Sequence, residues 1–161
     1  MGRMTTITTQ YSIQPLTAAE AAALRRAGGE RYTADEKPGF PCRRCLRDAE
    51  IGDELILVSH DPFHATSPYR SASPIFLHVD DCTPADEDTT APPEQLTVRQ
   101  LSVRGYDRND MMHDAKVIDG STLETTIQAL FENDEIDHLH VHMAARGCYA
   151  ARIVRTDQPT S

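Results

Sequence analysis

The chain has 161 residues, no tryptophan, 39% apolar residues and a formal net charge of −9. A chain of this length buries about 68–70% of its unfolded surface, so it can build a core without disulfide or metal staples. The acidic balance argues against a nucleic acid partner, which needs clustered cations, and against an anionic membrane surface.

In chain order, residues 5–14 (TTITTQYSIQ) alternate apolar and polar with Ile7, Tyr11 and Ile13 in phase, which predicts a strand. Thr17-Ala-Ala-Glu20 spells a capping box, and the alanine-rich run behind it predicts a helix to about Ala27, ended by Gly28-Gly29. Residues 30–53 read as irregular with short extended pieces. Residues 54–60 (ELILVSH) and 74–79 read as strands, joined by the polar loop DPFHATSPYRS. Residues 80–95 are rich in acid, Thr and Pro and predict a long exposed loop within the domain. Its acidic runs, Asp80-Asp81 and Asp86-Glu87-Asp88, lack calcium-loop spacing and read as solvated.

Residues 97–106 and 111–118 flank Asp107–Asp110 and predict a hairpin. Ser121-Thr-Leu-Glu124 is a second capping-box sequence, and Leu123, Ile127, Leu130 and Phe131 then share one helix face. Residues 138–143 and 148–155 read as a closing hairpin around residues 144–147. The pattern predicts an α+β fold: an antiparallel sheet of several strands and hairpins, with two helices packed on one face. We expect a single domain over residues 1–161, with an ordered core at 5–155 and a frayed tail at 156–161.

No run approaches the 18 apolar residues of a membrane span, and MGRMTTITTQYS has no apolar stretch of the signal-peptide kind. These features point to the cytoplasm, where four cysteines are thiols or metal ligands before they are disulfides.

Several residues carry a family resemblance. They are Pro41-Cys42-Arg43, Leu46, Asp48-Ala49, Gly52-Asp53-Glu54, Ser67-Pro68-Tyr69-Arg70 and Ile75-Phe76. Further on come Arg104, Tyr106-Asp107, Met112, Asp114-Ala115, Asp119-Gly120 and Gly147-Cys148. In that order, over residues 11–155, the chain resembles an uncharacterised bacterial family catalogued as domain of unknown function 1203. The resemblance implies no activity.

The residues themselves offer four kinds of chemistry. Cys42-Arg-Arg-Cys45 has the spacing of a dithiol or of half a zinc site, and its arginines favour thiolate. A thioredoxin-like site would need a following helix, and a zinc site would need a second ligand pair. Cys82 and Cys148 stand alone in this reading, and the thiols are equally read as small buried residues. His138-Leu-His-Val-His142 alternates as a strand does, so His138, His140 and His142 share a face; His140 and His142 could bind a metal such as zinc. Alternation alone also accounts for them as the outer face of a strand whose Leu139, Val141 and Met143 face the core.

A cysteine nucleophile at Cys148 would need a histidine base in reach. A hairpin pairing Met143 with Cys148, Val141 with Ala150 and Leu139 with Arg152 puts Cys148 on the apolar face. The histidines then lie opposite, with Tyr149 and Ile153. Finally, Arg43, Arg70 and Arg104, with Tyr69, could line a pocket for a small anionic ligand, since guanidinium forks match carboxylate and phosphate. The competing reading has these arginines pinning loops through carbonyls and acids. Three classes of function follow: a small-anion-binding domain, a metal or thiol protein, and a structural or interaction protein that forms a homodimer through a strand edge.

Overall fold

The computed structural model describes residues 8–86 and 90–156. The expected α+β class with antiparallel pairing is what the chain adopts, and the strands divide into two sheets. The larger runs β1-β8-β7-β5-β6; the smaller runs β2-β3-β4. Their ranges are β1 Tyr11–Gln14, β2 Glu30–Thr33, β3 Glu54–His60, β4 Ser73–His78, β5 Gln100–Tyr106, β6 Met112–Asp119, β7 His138–Met143 and β8 Tyr149–Arg155. The helices are α1 Ala18–Ala27, α2 Glu94–Thr97 and α3 Leu123–Phe131.

The first capping box forms as expected. Thr17 Oγ1 accepts from the Glu20 N–H, and the Glu20 carboxylate accepts from the Thr17 N–H. Gly28, at φ 74°, ends α1. The second box does not form. Asp119 takes both the N–H and the hydroxyl of Ser121, at 3.0 and 2.9 Å, and holds residues 120–122 in a 3-10 turn. The α-helix then begins at Leu123.

The helices serve different sheets. Leu123, Ile127, Leu130 and Phe131 of α3 pack with Leu101, Val103, Leu139 and Val141 of the larger sheet. Ala21 of α1, with Leu16 before it, joins the second core with Leu55, Val58, Ile75 and Leu77 of the smaller one.

The closing hairpin starts in the expected register, with Met143 N–H donating to the Cys148 carbonyl at 2.9 Å. A bulge between Val141 and His142 then shifts it by one residue. Leu139 therefore pairs with Ile153, not Arg152, and His140 pairs with Arg152. Ile153 is fully buried in the main core, and Arg152 moves to the histidine face. Cys148, near the turn, is half-buried and packs against the main core.

The histidine face is not the open outer side that alternation alone suggests. His138, His140 and His142 are 0–3% exposed, because the connection from β3 to β4 folds over them. Its Phe63 ring meets Tyr106 and His140 edge-on, with centroids 5.3 and 4.9 Å away.

Residues 80–86 and 90–93 form no helix or strand, but the stretch ends in the short helix α2, which sequence pattern did not reveal. Glu87 and Asp88 of the acidic run, residues 5–7 of the first strand and residues 157–161 of the tail lie outside the described residues. Thr156 is held by the Gln10 carbonyl at 3.0 Å. Among the described residues no helix is long and apolar enough to cross a membrane.

Candidate metal centre

Residues 41–48 form a tight knuckle between the two sheets. Pro41 bridges to Asp48, the Cys42 N–H donates to the Arg47 carbonyl at 3.0 Å, and Leu46 at φ 55° lets the chain reverse. Its first half is clipped to β4: Cys42 bridges to Phe76, and the Arg43 N–H donates to the Phe76 carbonyl at 3.1 Å. From Phe76, β4 runs two residues further to His78 and so delivers that side chain to the knuckle.

The chain beyond His78 is shaped by one arginine. Arg25, in the last turn of α1, donates to the carbonyls of His78 and Asp80, to the Asp81 carboxylate and to Cys82 Sγ. Cys82 is thereby folded back onto the knuckle.

Cys42, Cys45, His78 and Cys82 each present one ligand atom, and all four atoms lie within 4.8 Å of one another. Cys42 Sγ is 3.8 Å from Cys82 Sγ, and Cys45 Sγ is 3.8 Å from His78 Nδ1. A disulfide would hold its sulfurs about 2.05 Å apart. Tetrahedral zinc, with Zn–S of about 2.3 Å and Zn–N of about 2.0–2.1 Å, requires S···S edges of about 3.8 Å and S···N edges of about 3.6 Å. The Cys42 and Cys82 sulfurs therefore sit at the spacing of two ligands of one ion, and this group could bind a metal.

The surroundings fit the same purpose. His78 Nε2 lies 3.0 Å from Asp53 Oδ2, which fixes the ring and leaves Nδ1 for the centre. This carboxylate–histidine arrangement is the usual outer support of a metal-bound imidazole. The His78 backbone N–H points at Cys42 Sγ from 3.5 Å. Hydrogen bonds from Cys45, Cys82 and then His78 drive the Cys42 thiol strongly toward thiolate. The same sulfurs, Cys42 before Cys45, push His78 up to about 11. A cleft of about 990 Å³ reaches Cys45, His78 and Cys82 from solvent.

Arg43 is 1% exposed and, among the described residues, has no carboxylate partner. Its guanidinium donates to the carbonyls of Tyr149, at 2.7 Å, and Pro41. Burial pulls its pKa down; Cys148 and Cys42 beside it act in the opposite sense.

The remaining sequence candidates lie as follows. Arg70 is exposed and pairs with Asp61 at 2.7 Å. Tyr69 sits edge-on to Tyr106, with centroids 6.3 Å apart. Arg104 is half-buried on β5 and donates to Ser102 Oγ at 3.1 Å. His140 and His142 are adjacent on β7, with ring centroids 6.1 Å apart, and among the described residues no third metal-ligating group joins them.

Of the centre's four residues, sequence reasoning singled out Cys42 and Cys45, left Cys82 standing alone and did not weigh His78. The signal was present: His78 and Cys82 have an H-x₃-C spacing, which complements C-x₂-C as the second half of a zinc site. Placing Cys82 in an exposed loop concealed it.

A family model described as protein of unknown function (DUF1203) matches residues 39–155. No curated protein and no solved structure matches the chain. The matched span contains all four residues of the centre.

Proposed function

This chain belongs to the DUF1203 family, and from that premise we propose that it is a zinc protein whose ion is bound by Cys42, Cys45, His78 and Cys82. The observation that carries this reading is the convergence of three sulfurs and one imidazole nitrogen within 4.8 Å from separate parts of the chain. Thiolate-rich tetrahedral sets select zinc among the common hard and borderline cations.

Charge supports the same reading. Three thiolates and a neutral imidazole around a divalent ion leave the centre with a single negative charge. Arg43, buried beside Cys42 and Cys148, and Arg25, on Cys82, supply the balancing positive charge. Without that anion, Arg43 is a buried cation held only by neutral groups, an arrangement that costs several kcal/mol.

Four protein ligands leave no open coordination position, so the ion's role is structural rather than catalytic. It ties the knuckle to the end of β4 and to the 79–82 turn, next to the contacts that join the two sheets. Substituting cobalt for zinc tests this: a tetrahedral, thiolate-bound cobalt spectrum is expected in the wild type and its loss in Cys82→Ser. An octahedral or colourless complex would sink the proposal.

A further inference from the structure

The second feature that calls for a partner lies on the opposite side of the larger sheet from its helix. Alternation places Ser102 and Arg104 of β5, His140 and His142 of β7, and Arg152 of β8 on one face. That face is enclosed, yet it is not satisfied. Both ring nitrogens of His140, Nε2 of His142 and Nη1 of Arg152 are buried with no hydrogen-bond partner. An orphaned buried group of this kind carries its full desolvation cost, so native proteins supply it with a partner.

The pattern of donors and acceptors states what the partner must be. His142 Nδ1 lies 2.9 Å from the Gly147 carbonyl, which can only accept, so Nδ1 carries the proton. Burial pushes His142 down to about 4 and His140 to about 2, so both rings are neutral. Nε2 of His142 is then an acceptor awaiting a donor. Neutral His140 offers one donor and one acceptor. Arg152 Nη1 is a charged donor, and Arg104 adds a second guanidinium on the same face. Asp110, the acid at the His138 end, accepts the backbone N–H groups of His64 and Ala65 on Oδ2, and its Oδ1 lies 3.2 Å from His138 Nε2, which makes no hydrogen bond among the described residues.

We propose that this face binds a small oxyanion that also bears a hydroxyl, such as hydrogen phosphate or a 2-hydroxycarboxylate. The anionic oxygens meet Arg152 and Arg104, and the hydroxyl donates to His142 Nε2. Among the described residues neither guanidinium is in an ion pair, and ordered water alone would supply no counter-charge. Entry is from the half-buried arginines, beside the 61–70 connection that forms the outer wall. The site is independent of the zinc centre: it shares no residue with it.

The test is a titration of the zinc-loaded protein with phosphate, glycolate, sulfate and acetate. It is followed by the ring resonances of His140 and His142 and by calorimetry. Phosphate or glycolate is expected to shift both rings; sulfate and acetate, which carry no hydroxyl, are expected to bind at least about ten-fold more weakly. Preference for phosphate over glycolate, or the reverse, identifies the ligand class. Arg152→Met should weaken binding by on the order of ten-fold or more. Arg104→Met, at a half-buried position, gives the same reading should the first variant fail to fold. The proposal is overturned if none of the four anions moves the rings. Equal binding of sulfate and acetate, or binding indifferent to both arginine variants, would also overturn it.

Discussion

Asp53 is the residue through which the metal reading is most finely tested. It touches no sulfur, but its carboxylate holds His78 Nε2 at 3.0 Å and so aims Nδ1 at the thiols. Outer supports of this kind are worth about 10–100-fold in metal affinity. Asp53→Ala is expected to lower zinc affinity by that factor, measured by competition with a chromophoric chelator; unchanged affinity would mean that His78 is not a ligand. The buried histidines make a separate prediction. A side chain kept neutral in the fold but protonated near pH 6.5 in the unfolded chain draws protons to the unfolded state as pH falls. Stability should therefore be full above about pH 6.5 and decline toward pH 4. His140 and His142, held at about 2 and about 4 mainly by burial, each contribute a slope of up to about 1.4 kcal/mol per pH unit. His140→Phe, placed among Phe63, Tyr106 and Tyr149, should flatten the fall in urea midpoint between neutral pH and about pH 5. A slope equal to that of the wild type would show that His140 is charged in the fold.

At the scale of elements, most helices and strands were legible because local chemistry and tertiary packing agree. The α1 capping box, the 54–60 strand and the α3 apolar stripe are examples. The failures have identifiable causes. The expected cap at Ser121 lost to Asp119, whose carboxylate reaches both Ser121 donors. The bulge after Val141 cannot be read from alternation, yet it exchanges Arg152 for Ile153 in the core. The helix α2 has only four residues and follows a proline-rich stretch, too short for any periodicity. The Asp119-Gly120 pair has a physical explanation at this scale. A Cβ on Gly120 would lie 2.0 Å from the Leu96 carbonyl oxygen and 2.6 Å from that of Arg99. Gly120→Ala should cost about 1–3 kcal/mol in chemical denaturation, since backbone must move to admit one methyl group. A neutral effect would show that the 96–99 segment yields freely.

For the whole molecule, the knuckle is where two cores are joined. Leu46 belongs to the core of the larger sheet, Cys42 and Cys45 to that of the smaller one. Arg99 forks onto Asp48 at 2.6 and 3.0 Å, and Gln95 donates to the Cys42 carbonyl at 3.0 Å. Tyr149 of β8 donates its N–H to Ser73 Oγ at 3.0 Å. An ion at the knuckle would stiffen this joint, so chelation is expected to loosen the packing between the sheets before either core melts. Hydrogen exchange would show it as early loss of protection at Cys42, Arg43 and Tyr149. Half of the candidate metal site was visible in the sequence as C-x₂-C. The other half was hidden because its ligands are brought in by tertiary structure: β4 pairing delivers His78, and Arg25, 57 positions before Cys82, turns the chain back. The central claim is tested most directly by elemental analysis of the natively purified protein beside its Cys82→Ser variant. One zinc per wild-type chain, absent from the variant, is the predicted result. A folded wild-type protein without bound metal, its four thiols all free to react, would contradict it.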